Sequence, residues 1–95
     1  MKKIIAASLA ALGLSVAGVS AEPIKIGMIT TLSGGGAGLG VDARDGFLLA
    51  LKNAGEAASD IEMVIEDDAQ KPELAVQIAD KMIQSDQVDI LTGII

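Results

Sequence analysis

Three short β-rich runs alternate with two stretches of helical periodicity, and this alternation limits what the chain can fold into more than any other feature. Ile24-Lys25-Ile26-Gly27-Met28-Ile29-Thr30 follows Pro23 and carries apolar residues on both alternating sets, the pattern of a strand covered on both faces. A helix is expected from near Asp42, whose carboxylate can cap the first turn, to about Asn53, with Ala43, Phe47, Ala50, Leu51 and Ala54 on one face and Gly55 as its stop. Gly46 lies in that apolar face, where a missing side chain would let the helix approach the sheet. Ile61 to Glu66 reads as a second strand with Ile61, Met63 and Ile65 pointing one way. Pro72 suits the first turn of a second helix, in which Ala75, Ile78, Ala79, Met82 and Ile83 recur at helical spacing. Val88 to Ile95 reads as a third strand.

Strands alternating with one-sided helices define the α/β class: a β-α-β-α-β unit that begins a doubly wound parallel sheet. Ligands of such sheets bind beyond the carboxyl ends of the strands. Here those ends lead into Thr31 to Gly40, the acidic run Glu66-Asp67-Asp68, and whatever follows Ile95. Five glycines in the seven positions from Gly34 to Gly40 predict a loop, because glycine loses the most backbone entropy when fixed in an element.

Two motifs invite a chemical reading. Gly38-Leu39-Gly40-Val41-Asp42-Ala43 fits the G-x-G-x-x-A form of the dinucleotide fingerprint, but Thr31 to Gly38 intervene between the strand and the pattern, where the fingerprint needs its first glycine directly after the strand. No Gly-Lys-Ser or Gly-Lys-Thr follows the glycines to make a phosphate-cradling loop. The run Glu66-Asp67-Asp68 lacks the alternate spacing of a calcium loop and is expected to be a solvated strand end, with a supporting polar role at a ligand cleft as the functional alternative. Met28, Met63 and Met82 are expected in the core.

Residues 1–21 have the layout of a secretory signal. Lys2 and Lys3 give a basic start, Ile4 to Val19 a mostly apolar run, and Val19-Ser20-Ala21 a cleavage site before Glu22. The run is broken by Ser8, Gly13, Ser15 and Gly18 and falls short of the roughly 20 apolar residues a membrane span needs. Beyond it, Lys25, Arg44, Lys52, Lys71 and Lys81 are scattered among all thirteen acidic residues of the chain, a net charge of about −8. That balance argues against nucleic acid, which needs clustered cations, and Phe47 is the sole aromatic residue available to stack on a base. Cys and His are both absent, which removes disulfides, His- or Cys-based zinc sites and every Ser-His or Cys-His nucleophile pair. An enzyme is not expected, and no catalytic residue, cofactor or metal is assigned. Because the chain ends inside an apolar stretch, with no cap or polar tail, it is expected to be part of a longer protein.

Ile24-Lys25-Ile26-Gly27 with Thr31-Leu32-Ser33-Gly34, then Asp45-Gly46-Phe47, then Ile65-Glu66-Asp67-Asp68-Ala69-Gln70 ahead of a proline helix, together resemble the leucine-binding group of periplasmic substrate-binding proteins. The stretch Ile29 to Gly34, with Arg44-Asp45-Gly46-Phe47 and Asp89 to Ile94, is most similar to members thought to take aromatic or other organic acids. The resemblance implies a type I periplasmic binding protein, in which two lobes close around a small organic solute, branched-chain amino acid-like or an aromatic carboxylate, and hand it to the permease of an ABC importer. Residues 22–95 would supply an incomplete first lobe. Ser33, Gly34 and Leu39 match the family's ligand-facing segment after the first strand, and the backbone amides from Ser33 to Gly36 would suit a carboxylate. Leu39 stands where amino-acid-binding members often carry an aromatic side chain. A ligand-sensing domain of a signalling receptor with the same fold is the alternative.

Overall fold

The computed structural model describes residues 22–93. The proposed signal segment and its cleavage site, and the last two residues of the expected third strand, lie outside them. Strand β1 (Ile24–Thr30) leads into helix α1 (Ala37–Ala54), a short 3₁₀ turn (Gly55–Ala58), strand β2 (Ile61–Asp67), helix α2 (Pro72–Gln84) and strand β3 (Ile90–Gly93). The three strands form one parallel sheet in the order β2-β1-β3. The register runs from Ile24 beside Ile61 to Thr30 beside Asp67 on one side, and from Ile26 beside Ile90 to Ile29 beside Gly93 on the other. The α/β reading and its β-α-β-α-β order therefore hold.

Both alternating sets of β1 are buried, Ile26 and Met28 on one and Ile29 on the other, as its apolar residues on both sets lead one to expect. One face meets α2, where Ile29, Ala75, Ile78 and Met82 form the buried cluster, flanked by Val64, Leu74, Ala79 and Val88. Met82 is fully buried, and burying a side chain of this size is worth about 1.5–3 kcal/mol. Gly27 makes room for it: a β-carbon there would lie 2.7 Å from the Met82 sulfur. Pro72 occupies the first turn of α2 as its missing amide hydrogen allows. Ile83, expected on the buried stripe, is instead 56% exposed, because the stripe that contacts the sheet is the narrower set Ala75, Ile78 and Met82.

The start of α1 differs most from expectation. The helix begins at Ala37, so Gly38 and Gly40 belong to its first turn rather than to a loop, and Asp42 lies within the helix instead of capping it. Tertiary approach overrides propensity here. A β-carbon on Gly40 would sit 1.6 Å from the Thr31 carbonyl oxygen, and the Thr30 hydroxyl donates to the Gly40 carbonyl at 3.2 Å. The helix can seat against the end of β1 only because that position has no side chain. The dinucleotide-like pattern thus lies inside a helix and cannot make the tight turn that fingerprint needs. Gly46 corrects a second expectation, since a β-carbon there would meet nothing within 4 Å. The inward stripe of α1 is Gly40, Arg44, Phe47 and Leu51, while Ala43, Ala50 and Ala54 are exposed. Gly55, at φ 56°, ends the helix as read from the sequence.

The third strand is also shorter at its start than expected. Val88 donates its amide to the Met82 carbonyl at 3.0 Å and packs on the core, so it closes the end of α2 instead of joining the sheet. Gln87, at φ 56°, turns the chain there. Asp89 then aligns β3 with β1: its carboxylate accepts from the Lys25 amide at 2.9 Å and its own amide donates to the Lys25 carbonyl at 2.8 Å.

Candidate functional site

In a β2-β1-β3 sheet the chain leaves β1 to one side for β2 and then crosses back past β1 to β3. The crevice beyond the carboxyl ends of β1 and β3 is therefore the topological switch point, the place where open α/β sheets hold ligands. Residues 31–36, joining β1 to α1, stand at its edge, and residues 68–71, joining β2 to α2, stand beside them.

The two loops are built as one unit by the acidic run. Asp67 Oδ1 accepts from the Leu32 amide at 2.7 Å and from the Ala69 amide at 2.8 Å, while Oδ2 accepts from the Ser33 hydroxyl at 2.5 Å. Asp68 Oδ1 accepts from the Thr31 hydroxyl at 2.7 Å and the Gln70 amide at 2.9 Å, and the Asp68 amide donates to the Thr30 carbonyl at 3.0 Å. Asp68 is only 5% exposed, so the expectation of a solvated strand end is corrected for it. The hydrogen bond from the Ser33 hydroxyl, then those from the amides of Leu32 and Ala69, hold the Asp67 carboxyl below the ordinary aspartate range, against a smaller opposing effect of desolvation.

These carboxylates also fix an unusual backbone. Ala69 and Gln70 have φ of 52° and 59°, a left-handed conformation that costs a residue with a β-carbon roughly 1–2 kcal/mol. Each donates its amide to the aspartate two positions earlier, the Asx geometry that stabilises such turns. The turn aims the Gln70 side chain at the glycine loop, where Oε1 accepts from the Gly36 amide at 3.1 Å. This contact serves the start of α1, whose cap residue Gly36 has no side chain to do so.

Of the residues singled out from the sequence, Ser33 and Gly34 sit in this unit. Gly34 has φ 81°, and a β-carbon there would lie 3.3 Å from Gln70 Oε1. Leu39 is apart from it, in the first turn of α1 and 66% exposed. Gly36 offers its amide to Gln70 and not to a ligand, which narrows the donor set expected from Ser33 to Gly36. Gln70 was missed as part of the site, and the available signal was indirect: the Thr31 and Ser33 hydroxyls opposite Asp68 and Asp67, which bring the loop that carries it against the glycines. Parallel pairing sets the end of β1 level with Asp67, so hydroxyl donors and carboxylate acceptors meet.

A parallel sheet whose switch-point crevice is edged by two interlocked loops matches part of an α/β lobe of the open-sheet kind, in which such crevices hold ligands. The chain belongs to the periplasmic binding protein family, whose model matches residues 23–95. Among solved structures it is similar to an ABC transporter substrate-binding protein from Sphaerobacter thermophilus, with 39% sequence identity and a TM-score of 0.72. The similarity covers 77% of this chain and 20% of that one, so the chain spans about a fifth of that structure's length. Among curated proteins none matches the chain.

Proposed function

We propose that the chain forms the opening part of the first lobe of an ABC importer's substrate-binding component, which captures a small organic solute in the periplasm and passes it unchanged to the importer's permease in the inner membrane. The similarity to the Sphaerobacter thermophilus substrate-binding protein carries this reading, and the placing of Ser33 and Gly34 at the carboxyl end of β1 supports it. In this reading residues 1–21 are an export signal removed after Ala21, and residues 22–95 are one portion of a two-lobed protein. Ser33, Gly34 and the exposed Leu39 face the ligand, which is branched-chain amino acid-like or an aromatic carboxylate. The amides of Gly34 and Gly35 have no acceptor among the described residues, so they can donate to a carboxylate.

Calorimetric titration of the full-length protein with branched-chain amino acids and aromatic carboxylates tests the reading. One-to-one binding with a Kd near or below about 1 μM, and a ligand recovered chemically unchanged, is the expected result. Turnover of the bound compound would replace capture with catalysis. Fusing residues 1–21 to a reporter tests location separately, and a reporter retained in the cytoplasm would remove the periplasmic assignment.

A further inference from the structure

The single proton of the Ser33 hydroxyl is already committed. Ser33 Oγ donates to Asp67 Oδ2 at 2.5 Å, and a hydroxyl carries one proton and two lone pairs. To any further partner, Ser33 can therefore only accept. The Asp67 carboxylate is not free to turn away, because its other oxygen is held by the amides of Leu32 and Ala69. Beside Ser33, the amides of Gly34 and Gly35 can only donate. The loop thus has one acceptor and two donors left for a further partner.

We infer that Asp67 is a positioning residue that fixes Ser33 as a hydrogen-bond acceptor, so that the ligand taken at this loop carries a hydroxyl or N–H donor beside its carboxylate. The inference rests on the reading of Ser33 as ligand-facing. A carboxylate with a hydrogen or a carbonyl at that position leaves Ser33 Oγ unpaired or opposed by a second acceptor, and a site built to pair with a donor discriminates strongly against ligands that lack it.

Two measurements on the full-length protein test this. The first is a carbon-13 NMR titration of the Asp67 carboxyl, assigned by its loss in Asp67→Asn. Ser33→Ala should raise the Asp67 midpoint, and an unchanged midpoint would overturn the donor role of Ser33. The second compares mandelate with phenylglyoxylate, and 2-hydroxy-4-methylpentanoate with 2-oxo-4-methylpentanoate. The wild-type protein should favour the hydroxy acid of each pair that binds. In Asp67→Asn the amide keeps Oδ1 for Leu32 and Ala69 but donates to Ser33 Oγ, turning the hydroxyl proton outward. The hydroxy-to-oxo affinity ratio should fall about tenfold or more. General damage to the loop would weaken both members equally, and that result would overturn the proposal. If no probe binds the wild-type protein, the proposal falls with the ligand-facing reading, and a shifted Asp67 midpoint would mark that failure as distinct from a wrong hydrogen-bond polarity.

Discussion

Thr31 and Asp68 are joined by a 2.7 Å hydrogen bond across the carboxyl ends of neighbouring strands, with 3% and 5% of their surfaces exposed. Both bonds to the Asp68 side chain, from the Thr31 hydroxyl and the Gln70 amide, end on the same oxygen, Oδ1. Asp68→Ala leaves two donors without their acceptor and should cost about 2–4 kcal/mol. Asp68→Asn retains a carbonyl oxygen at that point and should cost about 1 kcal/mol. Urea midpoints of the full-length protein, at unchanged m-value, measure the difference. Equal losses in the two variants would mean that the second carboxylate oxygen matters as much as the first.

Gly40 and Gly46 both lie inside α1, so helix propensity alone predicts that alanine stabilises at either site by up to about 1 kcal/mol. Their surroundings predict opposite signs. At Gly46 the added methyl meets nothing within 4 Å, whereas at Gly40 it would overlap the Thr31 carbonyl at 1.6 Å. Gly46→Ala should raise the urea midpoint by the equivalent of about 0.5–1 kcal/mol. Gly40→Ala should lower stability by about 3 kcal/mol or more, since backbone has to move on backbone.

The bonds that lower the Asp67 carboxyl also set the sign of its pH dependence. A carboxyl with a folded-state pKa below its unfolded value contributes stability above the unfolded value, about 4, and loses it as the pH falls through the lower folded one. The stability gap between wild type and Asp67→Asn should therefore be flat from pH 7 down to about pH 4 and narrow below it. A gap that widened on acidification would mean that Asp67 is held in its protonated form.

Much of this architecture is legible in the residues. Apolar residues on both sets of β1 marked a strand covered on both faces, and Pro72 and Gly55 marked helix ends through fixed or left-handed φ. The start of α1 was hidden because glycine composition reports what a segment costs to order, not what it is pressed against. Gly40 is pressed against Thr31, nine positions earlier in the loop that leaves β1. The interlocked loops were hidden for a related reason. Carboxylates at a strand end look solvated until the register sets Thr30 beside Asp67 and supplies their hydroxyl and amide donors.

Ala69 offers a last test, since it keeps a β-carbon at φ 52° where glycine would be unstrained. Its amide bond to Asp67 needs no side chain, so Ala69→Gly should relieve the strain and keep that bond. The net gain should be about 0.5–1 kcal/mol, the strain relieved less the entropy glycine adds to the unfolded chain. Gln70→Gly relaxes the same left-handed backbone at φ 59° but removes the acceptor for the Gly36 amide, so its gain should be offset or reversed. Urea midpoints of the two variants decide the matter. If Gln70→Gly stabilised as much as Ala69→Gly, the Gln70 side chain would contribute nothing to holding the glycine loop against the acidic turn.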